Sequence, residues 1–168
     1  MIDCTGRFKK NLNIFFFGYR EILFLNQFLK NKPMSLITWS DEFSVGVIEI
    51  DNQHKGLVRL INKLYDAMTY GQAHKMLREI IQELVKYTQV HFATEEKYFK
   101  KCNYPDSDVH IEEHHQFIDA VAKFKDAFES GNIVLSVDIF KFLKSWLTNH
   151  ILDSDKKFTR CFNENGLF

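Results

Sequence analysis

The stretch Val109-His110-Ile111-Glu112-Glu113-His114-His115-Gln116-Phe117 constrains this chain more than any other. His110, His114, Phe117, Val121, Phe124 and Phe128 follow one another at spacings of 4, 3, 4, 3 and 4, the inward seam of a long amphipathic helix. Positions four apart on such a helix lie about 40° apart in azimuth and about 6 Å along the axis. Two imidazoles therefore stand side by side on a face that should carry only apolar side chains. A single buried histidine usually just finds a hydrogen-bond partner. A pair at this spacing makes a metal ion an equal contender.

Other segments carry the same kind of stripe. Residues 36–50 hold Trp39, Phe43, Val45, Val47 and Ile48 without a helical period and are expected as an extended arm. A first helix is predicted to open at Asp51, a good N-cap, and to break at Gly71, with His54, Leu57, Ile61, Leu64 and Met68 inward. A second is predicted from about Gln72 to Cys102, facing Leu77, Ile80, Leu84, Tyr87 or Thr88, His91, Glu95 and Tyr98 or Phe99 to the core. Along it the aliphatic stripe gives way to histidine and then glutamate without losing register. A buried carboxylate is costly unless a cation meets it, so Glu95 demands a partner, whereas Glu96 reads as an ordinary solvated carboxylate.

The turn Asn103-Tyr104-Pro105-Asp106 leads into the third helix, capped by Asp106, Ser107 or Asp108 and ending near Ser130-Gly131-Asn132. The fourth is predicted from near Ser136, with Ile139, Leu143, Trp146, Leu147 and His150 inward. On an α-helix Asp155 falls about 140° round from His150, so it is expected to approach from a different angle, with Asp153 as the competing carboxylate. Short linkers make neighbouring helices antiparallel, and the fold expected is an all-α, up-down-up-down four-helix bundle with an N-terminal arm. Only two prolines and seven glycines interrupt these periods in 168 residues, and 45% hydrophobic content suits a packed core.

Residues 1–33 read differently. Apolar runs at Ile14-Phe15-Phe16-Phe17 and Ile22-Leu23-Phe24-Leu25 are interrupted by Arg20 and Glu21, too short to span a bilayer. They are expected to be an extension upstream of a native start at Met34, or else an amphipathic helix, leaving 34–168 as the bundle. Twenty-two Lys and Arg balance twenty-two Asp and Glu, without the basic excess that nucleic-acid binding needs. Cys4, Cys102 and Cys161 form no CxxC pair and read as reduced thiols of a cytoplasmic protein, not as a disulfide framework or thiolate site.

In an antiparallel bundle, His54 near the start of helix one, His91 and Glu95 late in helix two, His110 and His114 early in helix three, and His150 and Asp155 late in helix four all fall at one end. Five imidazoles and two carboxylates then share one layer, while His74 and His115 lie off the stripes. Such donors suit iron, manganese or zinc better than copper(I). Seven are too many for one tetrahedral zinc but fit two ions bridged by two carboxylates. His91 is followed by Phe92-Ala93-Thr94-Glu95 rather than an HExxH pattern, and the one Glu-x-x-His, Glu112 to His115, points away from the stripe.

This pattern, His54, His91-x3-Glu95, His110-x3-His114 and His150-x4-Asp155, resembles the hemerythrin family in its single-domain bacterial form. Trp39-Ser40, Asp51-x-x-His54 and Trp146-Leu147-x-x-His150-Ile151 match as well, and the likeness covers about residues 36–162. The resemblance implies two iron ions (Fe2+/Fe3+), bridged by an oxo or hydroxo group. His110, His114 and His150 would hold one and His54 and His91 the other, with Glu95 and Asp155 between them. It implies reversible dioxygen binding at the two-histidine iron, by an oxygen carrier, storage or delivery protein rather than an enzyme. The alternative is a di-iron enzyme or sensor acting on dioxygen, peroxide or nitric oxide. Leu57, Phe92, Trp146, Leu147 and Ile151 are candidates for an apolar oxygen pocket, though apolar residues beside a bundle core are more often simply core. The expected partner is dioxygen, with no nucleic acid and no membrane, and the expected state is a monomer with or without a separate delivery protein.

Overall fold

The computed structural model describes residues 35–131 and 135–168; both readings of residues 1–33, and Cys4, lie outside that range. Within it the helices are α1 (Ile48–Thr69), α2 (Ala73–Cys102), α3 (Ser107–Glu129) and α4 (Leu135–Trp146). α4 runs on through a π-helical segment, Leu147–Ser154, into a terminal α5, Asp155–Glu164. α2 packs on both α1 and α3, and α4 closes the ring against α1 and α3, giving an antiparallel four-helix bundle. None of the described helices is long and apolar enough to cross a membrane.

Local chemistry sets the helix ends. Gly71 (φ 66°) takes the left-handed conformation where α1 stops, and Asn103 (φ 49°) does the same after α2. α1 departs from expectation by beginning at Ile48, with Asp51 inside its first turn rather than at the cap. The Asp51 carboxylate reaches back and accepts from the Ser44 hydroxyl (2.5 Å) and the Val45 N–H (2.8 Å). It therefore pins the arm while placing negative charge at the positive end of the helix. Further along the arm, Asn62 accepts from the Ile37 N–H (2.9 Å) and donates to the Ile37 carbonyl (2.8 Å).

The apolar stripes meet in two clusters. A long core gathers Leu57, Ile61, Leu64, Leu77, Ile80, Leu84, Phe117, Val121, Ile139 and Leu143. A smaller one at the other side of the histidine layer gathers Val45, Val47, Ile50, Phe99, Tyr104, Phe158 and Phe162. Phe99 and not Tyr98 is the core residue of its pair, and both Tyr87 and Thr88 are buried. Cys102 and Cys161, distant in sequence, become neighbours as free thiols, the Cys161 Sγ lying 3.3 Å from the Cys102 carbonyl oxygen.

The π-helical segment corrects the expected angle of Asp155. Its backbone N–H bonds to the carbonyl of His150, five residues back, in place of the α-helical four. That wider turn brings residues five apart nearly into line. Leu147, His150, Ile151, Ser154 and Asp155 are all buried as a result. It also lets the stripe upstream (Ile139, Leu143) and the stripe downstream (Phe158, Phe162) both face inward, each into its own cluster. Asp153, the competitor, points to solvent and pairs with Lys157 at 3.0 Å.

Candidate metal centre

The structure brings all seven candidate side chains into one enclosed layer. His54, His91, Glu95, His114 and Asp155 have no accessible surface, and His110 and His150 almost none. Their donor atoms fall into two overlapping groups, Glu95 with His110, His114 and His150, and His54 with His91, Glu95 and Asp155, each within 4.8 Å.

The two carboxylates face both ways. One oxygen of Asp155 lies 3.1 Å from His150 Nε2 and 3.3 Å from His110 Nε2, while the other lies 3.1 Å from His54 Nε2. One oxygen of Glu95 lies 2.9 Å from His114 Nε2 and 3.5 Å from His110 Nε2, and the other 3.5 Å from His91 Nε2. Two neighbouring ligands of an octahedral ion held at about 2.1 Å sit about 3 Å apart, so these spacings suit shared ions. Ten buried nitrogen and oxygen atoms on the seven residues have no aligned hydrogen-bond partner. Native interiors rarely tolerate that. Divalent cations would satisfy every one of the carboxylate oxygens and Nε2 atoms at once, so the residues fit a two-metal site.

Electrostatics point the same way. Burial, and then the Asp155 carboxylate, push Glu95 up to about 8. Burial also works against Asp155, but His150, His110 and His54 hold it well below the usual carboxylate range. Without a cation the pocket thus favours only one of its two carboxylate charges. Burial and the neighbouring imidazoles keep His91 well below its ordinary value and bring His114 down to about 2, so both present neutral nitrogens.

A second layer, not foreseen in the sequence, orients the imidazoles. Gln53 on α1 meets His91 Nδ1 at 2.9 Å, Glu96 on α2 meets His114 Nδ1 at 3.3 Å, and Glu113 on α3 meets His150 Nδ1 at 2.5 Å. Each is the immediate sequence neighbour of a candidate ligand on one helix and serves a histidine on the next. By accepting from Nδ1–H, such a group fixes the tautomer that leaves Nε2 free for a metal. Glu96 is therefore not the plain solvated carboxylate expected. The Ser154 hydroxyl donates to Glu113 (3.0 Å), and the Gln53 amide donates to Thr94 (3.1 Å).

Aromatic rings wall the layer. Phe92 stacks on His114 (centroids 3.9 Å, 8°), Trp146 on His150 (3.8 Å, 21°) and Tyr87 on His91 (4.7 Å, 29°). Leu57, Phe92, Leu147 and Ile151 are buried in the adjoining core with Trp146 packed against it. His115 and Glu112 are exposed, and so is His74.

The model of the hemerythrin HHE cation binding domain matches residues 45–161. The chain is 38% identical over 122 residues to bacteriohemerythrin of Pseudomonas aeruginosa, covering 73% of this chain and 78% of that one. It is 31% identical over 131 residues to bacteriohemerythrin of Methylococcus capsulatus, covering 77% and 99%. The crystal structure of a wild-type hemerythrin aligns with a TM-score of 0.64 at 30% identity, covering 76% of this chain and 98% of that one.

Proposed function

The chain belongs to the hemerythrin family, and we propose that it binds dioxygen reversibly at a pair of iron ions, as a carrier, store or delivery protein. The observation that carries this reading is the sharing of both carboxylates between a three-histidine and a two-histidine group inside a sealed layer. His110, His114 and His150 would hold one ion, His54 and His91 the other, and Glu95 and Asp155 would span them. When bound, the two irons would supply the electrons that dioxygen takes on binding and gives back on release.

The chain's own residues have two tasks. The first is to hold the ions without strain, and Gln53, Glu96 and Glu113 serve it by fixing three of the imidazole planes. The second is to keep water and protons away from the bound gas, because a proton delivered there would turn release into irreversible oxidation. Leu57, Phe92, Leu147 and Ile151, all buried, with Trp146 beside them, form that apolar wall. Imidazole-rich ligation with a wall of this kind favours binding over turnover.

The test is to load the purified protein with ferrous iron without air, admit oxygen, and then remove it under vacuum. Return of the reduced spectrum over several cycles is the expected result. Rapid consumption of oxygen with a reductant, and no stable oxygenated form, would instead make the protein a di-iron enzyme. Leu147, only 4% exposed and three residues before His150, gives a sharper check. Leu147→Asn should admit water and speed autoxidation by about fivefold or more, followed as decay of the oxygenated absorption band. An unaltered decay rate would take Leu147 out of the wall.

A further inference from the structure

One polar atom beside the metal layer belongs to none of the seven candidate ligands and has no partner. The Tyr87 hydroxyl is fully enclosed and accepts and donates nothing among the described residues. Tyr87 stands one helical turn before His91 on the inward face of α2, its ring stacked on that imidazole and 6.1–6.2 Å from Phe92 and Phe117. Tyr87 and His91 are among the residues lining a cleft between α1 and α2, and the hydroxyl oxygen itself is buried. Burial holds the phenol well above its ordinary pKa, and the Glu95 and Asp155 carboxylates, close enough to act on it, add to the effect. Its hydroxyl carries one proton to donate. The Trp146 indole N–H is likewise unpartnered, but its ring lies on His150, in the three-histidine half.

A buried hydroxyl with no acceptor costs stability, and phenylalanine would fill nearly the same volume without that cost. A tyrosine here makes physical sense if an acceptor arrives with the ligand. Resting on the oxygen-binding reading above, we propose that the Tyr87 hydroxyl donates a hydrogen bond to the small ligand bound in the two-histidine half. The site then prefers ligands that carry negative charge when bound, such as dioxygen or azide, over neutral ones of the same size. Tyr87 is a positioning group in an otherwise apolar wall: it stabilises charge on the ligand without surrendering its proton.

The experiment compares Tyr87→Phe with the unaltered chain, both iron-loaded to equal stoichiometry, using azide as the probe for the oxidised form and oxygen release for the reduced one. One hydrogen bond to a negatively charged ligand lost should weaken azide binding about tenfold or more and speed oxygen release by a similar factor. The iron-free variant should melt no lower than the iron-free parent, since its hydroxyl had no partner to lose. Azide affinity unchanged at full iron loading, or a lower melting temperature for the iron-free variant, would overturn the proposal. If the parent cannot release oxygen yet the azide contrast persists, the carrier reading fails and the hydroxyl's role stands. If azide binds to neither protein, the donor role is refuted.

Discussion

If the centre holds two iron ions as proposed, Glu95→Gln is expected to cost the protein at least one of them. Glu95 turns one oxygen toward His91 at 3.5 Å and the other toward His114 at 2.9 Å and His110 at 3.5 Å. The substitution keeps the shape but removes the charge and replaces one ligand oxygen with an amide nitrogen that cannot coordinate. One half loses a donor, the other keeps only a neutral amide oxygen, and two cations lose one of the two anions between them. Iron should fall from two ions per chain to about one or fewer, read by metal analysis after gel filtration. The melting advantage of loaded over iron-free protein should fall with it, since a ligand present at about a thousand times its Kd contributes about 4 kcal/mol. The iron-free forms should show the opposite order. Burial pushes the Glu95 carboxyl up to about 8, so near neutrality the iron-free fold must take up a proton that the unfolded chain does without, a cost a neutral amide avoids. A merely structural Glu95 would give lower iron-free stability with iron uptake intact. That outcome would remove it from the site.

Much of this site could be read in the chain because the side chains that build it interrupt helical stripes that are otherwise apolar. His91 and Glu95 continue the register of Ile80 and Leu84, and His110 and His114 that of Phe117 and Val121, so their inward placement follows from periodicity alone. Asp155 escaped that logic. A 3.6-residue period turns it away from His150, and only the i→i+5 turn over Leu147–Ser154 aligns them. Nothing in local propensity demands such a turn; burial of stripes on both sides of it does. Gln53, Glu96 and Glu113 escaped for another reason. Each sits one residue from a candidate ligand, hence about 100° off the stripe, where sequence alone suggests solvent. In a closed bundle that flank faces the next helix, and the neighbouring histidine's Nδ1 waits there. Asp51 has the type and place of a cap, yet its carboxylate serves the arm instead.

Acidification is expected to strip the metals, and raising the pH to show how much they stabilise the fold. In the metal-free pocket burial pulls His110 and His150 down, but the Asp155 carboxylate, joined by Glu113 at His150, outweighs it and raises both imidazoles above their ordinary value. Glu95 too holds its proton to about 8. A metal must displace these protons, whereas His91 and His114 are already neutral. Anaerobic addition of ferrous iron near neutrality should therefore release about two to three protons per chain, and affinity should fall by about two to three orders of magnitude per unit of pH lost. Stability of the iron-free protein follows from the same groups. The fold keeps protons on Glu95, His110 and His150 that the unfolded chain gives up, so stability drops as pH climbs through neutrality to about 8. Below about 6.5 the unfolded chain protonates its counterparts of His91 and His114 while the fold does not, so stability drops there as well. Asp155, held low, adds stability that only stronger acid removes. The iron-free protein should accordingly melt highest slightly below neutrality, and the rise in Tm on loading should grow between about pH 6.5 and about pH 8.5. A metal-induced shift that shrinks over that interval would mean that the protons held in this pocket are not those a metal displaces.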